Sequence, residues 1–325
     1  MSKLLKLLLP SLLLSTITLA QPVPGVDENI PNLVTFGSEG ETYWGDDNFC
    51  QIIFFAVPEN FNKPIYLRVF DPDTGGDNDE IQGEWDTQTR ISVYGGKGSC
   101  SNQDARDGNL NGDYDSGAEL DSKIFENNPE YNLKWYTFGP YNPSEGEYLP
   151  EDGGYIFKII IEGTEGDDGN MYRLFLSSNS NENHEVEGAF AYYFKYKFRM
   201  HDDVTQVSHI YPYINDTSTV YIKQSNFDWD NDGMILVRSV DRPGTPMNVS
   251  VDDNWIDSNF KIREKEYFSS LDIRMIKNKN AKIINNNVVI RLENQDGEGI
   301  KLYSIPIGGV PKYIPKPTHR KVNAQ

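Results

Sequence analysis

Apolar and polar residues alternate with a period of two along most of the chain beyond residue 50. Residues 50–56 (CQIIFFA), 64–70 (PIYLRVF), 89–94 (TRISVY), 133–138 (LKWYTF), 154–161 (GYIFKIII) and 171–177 (MYRLFLS) are short runs rich in β-branched and aromatic types. The clearest is 188–199, GAFAYYFKYKFR. There Phe190, Tyr192, Phe194, Tyr196 and Phe198 would share one face and Lys195, Lys197 and Arg199 the other, as in a strand with one buried and one wet side. The pattern resumes over 204–211, 218–223, 233–240, 246–251, 259–264, 270–276, 286–292 and 300–305, with Gly, Asn, Asp, Ser and Pro between the runs. Many short strands with turn formers between them predict an all-β fold. The strand count suggests two tandem β-sandwiches, jelly-roll-like over 21–200 and immunoglobulin-like over 201–312, with the boundary inside 179–203. The basic, Pro-rich residues 313–325 read as a flexible tail.

The first twenty residues break this pattern. Lys3 and Lys6 precede an apolar stretch from Leu7 to Leu14, and Thr18-Leu19-Ala20 has the small-x-small form of a cleavage site. That is the layout of a secretory signal peptide. No later segment reaches the roughly 20 apolar residues of a membrane span. The expectation is therefore an exported protein, secreted, periplasmic or at the cell surface, with no membrane span in its mature form.

The 325 residues include 49 Asp+Glu and 30 Lys+Arg, for a net charge of −19. Loss of Lys3 and Lys6 with the leader takes it to −21. A nucleic-acid partner is not expected, because phosphate binding requires clustered cations. Such a surface attracts divalent cations instead. Cys50 and Cys100 are the only cysteines, and in an oxidising compartment the expectation is that they pair in a structural disulfide.

Three loops concentrate oxygen ligands. Asp228-Trp229-Asp230-Asn231-Asp232-Gly233 carries carboxylates at alternate positions and then a turn glycine, as in the first half of an EF-hand loop. Met234 could add its carbonyl oxygen. Ser239 stands at the twelfth position, so a bidentate carboxylate would have to come from elsewhere, with Asp241 a candidate. Asp107, Asn109, Asn111 and Asp113 repeat the alternate spacing with less charge. Asp71, Asp73, Asp77 and Asp79 crowd the loop after the 64–70 strand, and Asp167 and Asp168 could complete a site there if the two loops meet. Calcium, a hard cation that takes six to eight oxygens, is the ion these donors suit.

The runs YLRVFDPDTGGDND (66–79), GYIFKIIIEG and GNMYRLFLSS (154–178) resemble β-sandwiches of the pre-peptidase C-terminal type over residues 33–199. That resemblance implies a small jelly-roll-like domain that accompanies secreted enzymes and often holds calcium. The chain departs from it in a longer 95–132 insertion. The second half is only generically immunoglobulin-like.

Catalytic signatures are missing: there is no H-E-x-x-H, G-x-S-x-G, phosphate loop or dinucleotide fingerprint. The sequence thus predicts a calcium-stabilised binding or scaffold protein with a glycan or protein ligand at the cell surface, rather than an enzyme. A carbohydrate-binding module is the first alternative, with Trp85 and Trp229 as exposed stacking residues. A secreted two-carboxylate hydrolase, or an accessory domain of one, is the second.

Overall fold

The computed structural model describes residues 22–229, 233–280 and 286–315. The protein is an all-β sandwich of two large antiparallel sheets, with one short α-helix, Gln103–Asp107, and five single-turn 3-10 helices among the described residues. The first sheet runs Trp255–Lys261, Tyr221–Phe227, Asn287–Asn294, Lys195–Arg199, Asn32–Phe36, Gly169–Ser177, Ile65–Phe70, Trp135–Tyr141. The second runs Thr245–Met247, Met234–Arg238, Asp272–Ile276, Val207–Ile214, Leu302–Tyr303, Phe190–Tyr193, Cys50–Pro58, Gly154–Glu165, Gln88–Gly95, Ala118–Phe125. Each sheet draws strands from both sides of residues 179–203, and the main apolar cluster likewise joins residues such as Phe55, Ile159 and Leu174 to Ile210, Val237 and Ile290.

Strand Cys50–Pro58 shows why some runs are apolar at every position. Ile53, Phe55 and Val57 enter the main cluster, while Cys50, Ile52, Phe54 and Ala56 enter a second one on the opposite face. A strand buried on both sides has no need of alternation.

The 188–199 run is two strands, not one. Phe190–Tyr193 pairs with Phe54–Ala56 in the second sheet, and Lys195–Arg199 pairs with Asn287–Arg291 and Asn32–Leu33 in the first. The chain changes sheets at Phe194, which shifts the alternation by one residue. Tyr192 and Phe194 face the second cluster, whereas Tyr193, Tyr196 and Phe198 face the main core. Tyr193 and Tyr196 stack with centroids 3.7 Å apart.

The basic face of this segment is not wet, contrary to its sequence pattern. Lys197 is fully buried, bonded to Asp46 and Asn48 and 3.1 Å from Asp47. Lys195 pairs with Asp47 at 3.0 Å, and Arg199 pairs with Glu80. Loops of the first half carry these acids over the strand and cover it. Burial alone would raise the Asp47 carboxyl, but the Lys197 and Lys195 ammonium groups bring it down to about 2. Asp46 also accepts backbone bonds from Phe36 at 3.0 Å and Phe49 at 2.8 Å.

The N-terminal segment straps the two halves together. Pro22–Val23 pairs with Leu174–Phe175, Asn29 Nδ2 donates to Val207 O at 3.0 Å, and Tyr211 OH donates to Asp27 O at 2.9 Å. Glu28 reaches into the core, where it accepts bonds from Tyr193 OH, Tyr196 OH and Gly25 N. Burial outweighs these donors and raises its carboxyl to about 8.

Removing one partner of a buried ion pair leaves a charge stranded. Asp46→Ala is expected to lower the unfolding free energy by about 3–5 kcal/mol in urea titrations, with part recovered by adding Lys197→Met. Glu28 supplies a pH dependence of opposite sign to that of a paired carboxylate. Its folded-state value lies above the unfolded one, so its contribution is full below about pH 4.5 and is lost as pH rises toward about 8. Glu28→Gln should flatten that loss, which is on the order of 5 kcal/mol at most, as read from melting midpoints between pH 5 and 8.5.

Candidate functional site

The acids after strand Ile65–Phe70 fold their own loop. Asp71, buried at a φ of 59°, accepts from Leu133 N at 2.7 Å and Asn78 Nδ2 at 2.9 Å. Asp73 accepts from Tyr131 N at 2.6 Å. Asp79 accepts from Met171 N at 2.7 Å and Gly75 N at 2.8 Å, while Asp77 is exposed. Burial raises the Asp71 and Asp73 carboxyls, and Asp79 stands well above the ordinary range because burial is reinforced by the neighbouring Asp71 and Asp168 charges.

The hairpin ahead of Gly169–Ser177 meets this loop through paired backbone bonds between Glu80 and Gly169, both 2.9 Å. Asp168 is fully buried and accepts three backbone N–H groups, from Gln82 (2.8 Å), Asp86 (3.0 Å) and Thr87 (3.3 Å). It thereby fastens the 81–87 segment and brings three carboxylates together. Asp86, Asp167 and Asp168 each offer an oxygen within 4.8 Å of the others, grading from exposed to half-buried to buried. Gly166 makes the approach possible. A Cβ there would lie 2.5 Å from Asp86 Oδ1 and Thr87 N, and its φ is 71°.

Two buried amide oxygens, one on Asn170 two residues from Asp168 and one on Asn132 beside Gly76, lack donors among the described residues. Asn170 donates to Pro72 O at 2.7 Å and to the Thr74 and Thr89 hydroxyls, yet its Oδ1 is buried without a hydrogen-bond partner. Asn132 Oδ1 is in the same state. A buried acceptor left in this way is satisfied by a water or a cation. Trp85 is half-buried over Gly75.

The other two loops are arranged differently. Asp228 is buried, with its carboxylate accepting from Asp253 N at 2.9 Å. Asp230 and Asp232 lie outside the described residues. Met234 is exposed at the start of strand Met234–Arg238, and Asp241 lies beyond the far end, paired with Arg263 at 2.9 Å. The structure therefore does not bring Asp241 to Asp228. Trp229, expected at the surface, is only 1% exposed and belongs to the main core, so it offers no stacking face.

In the 107–113 loop the organising residue is Asp104, which the spacing of oxygens did not single out. Its carboxylate accepts from Asn109 Nδ2 at 2.6 Å and Asp113 N at 2.8 Å. Asp107 accepts from Gln103 at 2.8 Å, Asn109 Oδ1 from Asn111 N at 3.2 Å, and Asp113 from Asn102 at 3.2 Å. The buried Lys158 closes the loop by donating to Tyr114 O (2.6 Å) and Ser116 O (2.8 Å).

Cys50 and Cys100 are both buried free thiols rather than a disulfide. Cys100 Sγ contacts Ile156 O at 3.5 Å, whereas Cys50 is registered opposite Glu162, six residues further along the same strand. That offset is about 20 Å at ~3.4 Å per residue, far beyond the roughly 7 Å limit between bridged Cα atoms.

No protein-family model and no curated protein matches the sequence. Among solved structures, a protein from Parabacteroides distasonis described only as a candidate secreted protein aligns over 88% of this chain and 97% of its own. Identity is 8% and the TM-score 0.18, a likeness too slight to inform fold or function. No helix among the described residues is long and apolar enough to cross a membrane.

Unfolding without reductant should release two titratable thiols per chain. In the folded protein neither should react, since burial removes both from reagent and raises the Cys100 thiol to about 12.

Proposed function

We propose that this is an exported binding or scaffold protein whose acidic loops take up calcium beside Asp168. The observation that carries the reading is the approach of Asp86 to the adjacent pair Asp167 and Asp168, which lie on a second segment. Carboxylates this close repel by about 3 kcal/mol per pair at an effective dielectric of 20, and a divalent cation cancels that repulsion. Burial is the main cause that raises the Asp71, Asp73, Asp79 and Asp167 carboxyls, and neighbouring acids add to it at Asp73, Asp79 and Asp167, where a cation would relieve that part. The donor set fits a hard cation: Asp86 and Asp167 face outward with oxygens to give, and Asp168 anchors the inner side through its backbone bonds. Export rests on the N-terminal Lys3–Ala20 pattern. Calcium there would hold the 71–87 and 166–170 segments in one arrangement and so present a fixed surface to a ligand.

Calcium at about a hundred times its dissociation constant would add roughly 2.7 kcal/mol. The melting midpoint of the mature protein is expected to rise with calcium and fall with chelator, and an Asp86→Ala/Asp167→Ala variant should show neither response. Equal midpoints for the parent protein in calcium and chelator would overturn the reading.

A further inference from the structure

Strand Asp272–Ile276 ends in one sheet and strand Asn287–Asn294 begins in the other. Beside these two ends, Lys277 and Asn286 are packed together, 4% and 5% exposed. Lys277 Nζ contacts Asn286 Oδ1 and the His201 carbonyl oxygen. On the opposite side of the same carboxamide, Asn286 Nδ2 donates to Asp202 Oδ1 at 2.5 Å. An amine thus lies at the carbonyl end of an amide and a carboxylate at its nitrogen end. We propose that Lys277 and Asn286 become joined by an intramolecular amide bond, formed when the Lys277 amine displaces ammonia from the Asn286 side chain.

The step balances within the site. Lys277 Nζ adds to Asn286 Cγ and forms the new C–N bond. Asp202 accepts the proton released from that nitrogen and delivers it to Nδ2. The Cγ–Nδ2 bond then breaks and ammonia departs, with no change of oxidation state and no further reactant. A lysine acts as a nucleophile only when unprotonated, and desolvation is the usual means of making it so. Burial lowers Lys277 to about 8; of the surrounding charges, Asp202 and Asp203 oppose the shift and Arg199 adds to it. Lys197 supplies the contrast within the same chain. It also touches an asparagine oxygen, but burial there is outweighed by Asp46 and Asp47, which keep it an ammonium ion. Asp202 is itself held in place by Arg199 at 3.1 Å.

The test is peptide mass spectrometry of the mature, folded protein after unfolding and trypsin digestion. The expected product is a branched peptide joining residues 275–279 to residues 283–291, uncut after Lys277 and lighter than the summed linear peptides by about 17 Da, one ammonia. Loss of the same mass by ring closure at Gln21 or at Asn286 alone leaves linear peptides, so the branch is the readout. Lys277→Arg and Asn286→Ala should each abolish it. Linear peptides cleaved after Lys277 in the parent digest, with no branched species, would overturn the proposal whether or not either variant folds.

Discussion

A strand carrying three cations cannot sit inside a wide sheet unless something neutralises it, and the pairing of Lys195, Lys197 and Arg199 with Asp47, Asp46 and Glu80 meets that need. The strand lies between Asn32–Phe36 and Asn287–Asn294, so it joins the two halves of the first sheet. Its apolar side closes the main core through Tyr196 and Phe198. Transfer of an ammonium group from water is costly without a partner. The loops that bring Asp46, Asp47 and Glu80 are therefore as much a condition of the sheet as its backbone ladder. Asn287 adds to the cover by donating to Trp44 O at 2.9 Å and Glu80 at 3.0 Å.

The same economy recurs among the acids. Buried backbone N–H groups need acceptors, and a carboxylate can receive several at once. Asp168 takes three, and Glu147 takes those of Gly98, Cys100 and Ser101 together with the Ser101 hydroxyl. Those donors hold Glu147 below the usual carboxylate range although burial pushes it up. Long loops of Gly, Asn and Asp are thus ordered from inside by a few acids. The negative charge of the chain is partly structural, not only a property of its surface. Where three carboxylates remain close, at Asp86, Asp167 and Asp168, the cost is electrostatic and a cation is the natural remedy.

Buried lysines illustrate how environment divides one residue type among roles. Lys197 is a counter-ion, Lys158 a clamp on two carbonyl oxygens, and Lys277 an amine lodged between an asparagine oxygen and a backbone carbonyl. Only the first has buried carboxylates for partners. Burial lowers all three, and in Lys197 the neighbouring Asp46 and Asp47 charges outweigh it.

Period-two alternation, β-branched runs and turn residues were enough to establish an all-β sandwich, because side-chain direction along a strand depends on local geometry alone. The loop after residue 70 does meet the Asp167-Asp168 hairpin through Glu80 and Gly169, but the acid that joins Asp167 and Asp168 is Asp86, which the sequence reading did not name as a ligand, and none of Asp71, Asp73, Asp77 and Asp79 belongs to that group. Pairings between distant segments were not legible. Whether Cys50 reaches Cys100, whether Trp229 is exposed and whether Asp241 reaches Asp228 depend on register and on which strands become neighbours, and each came out opposite to the local reading. The sheet change at Phe194 shows why: one residue of phase reverses the faces, and only the partner strands decide where that residue falls. A lysine on the polar side of a strand reads as solvated until a loop from elsewhere in the chain covers it.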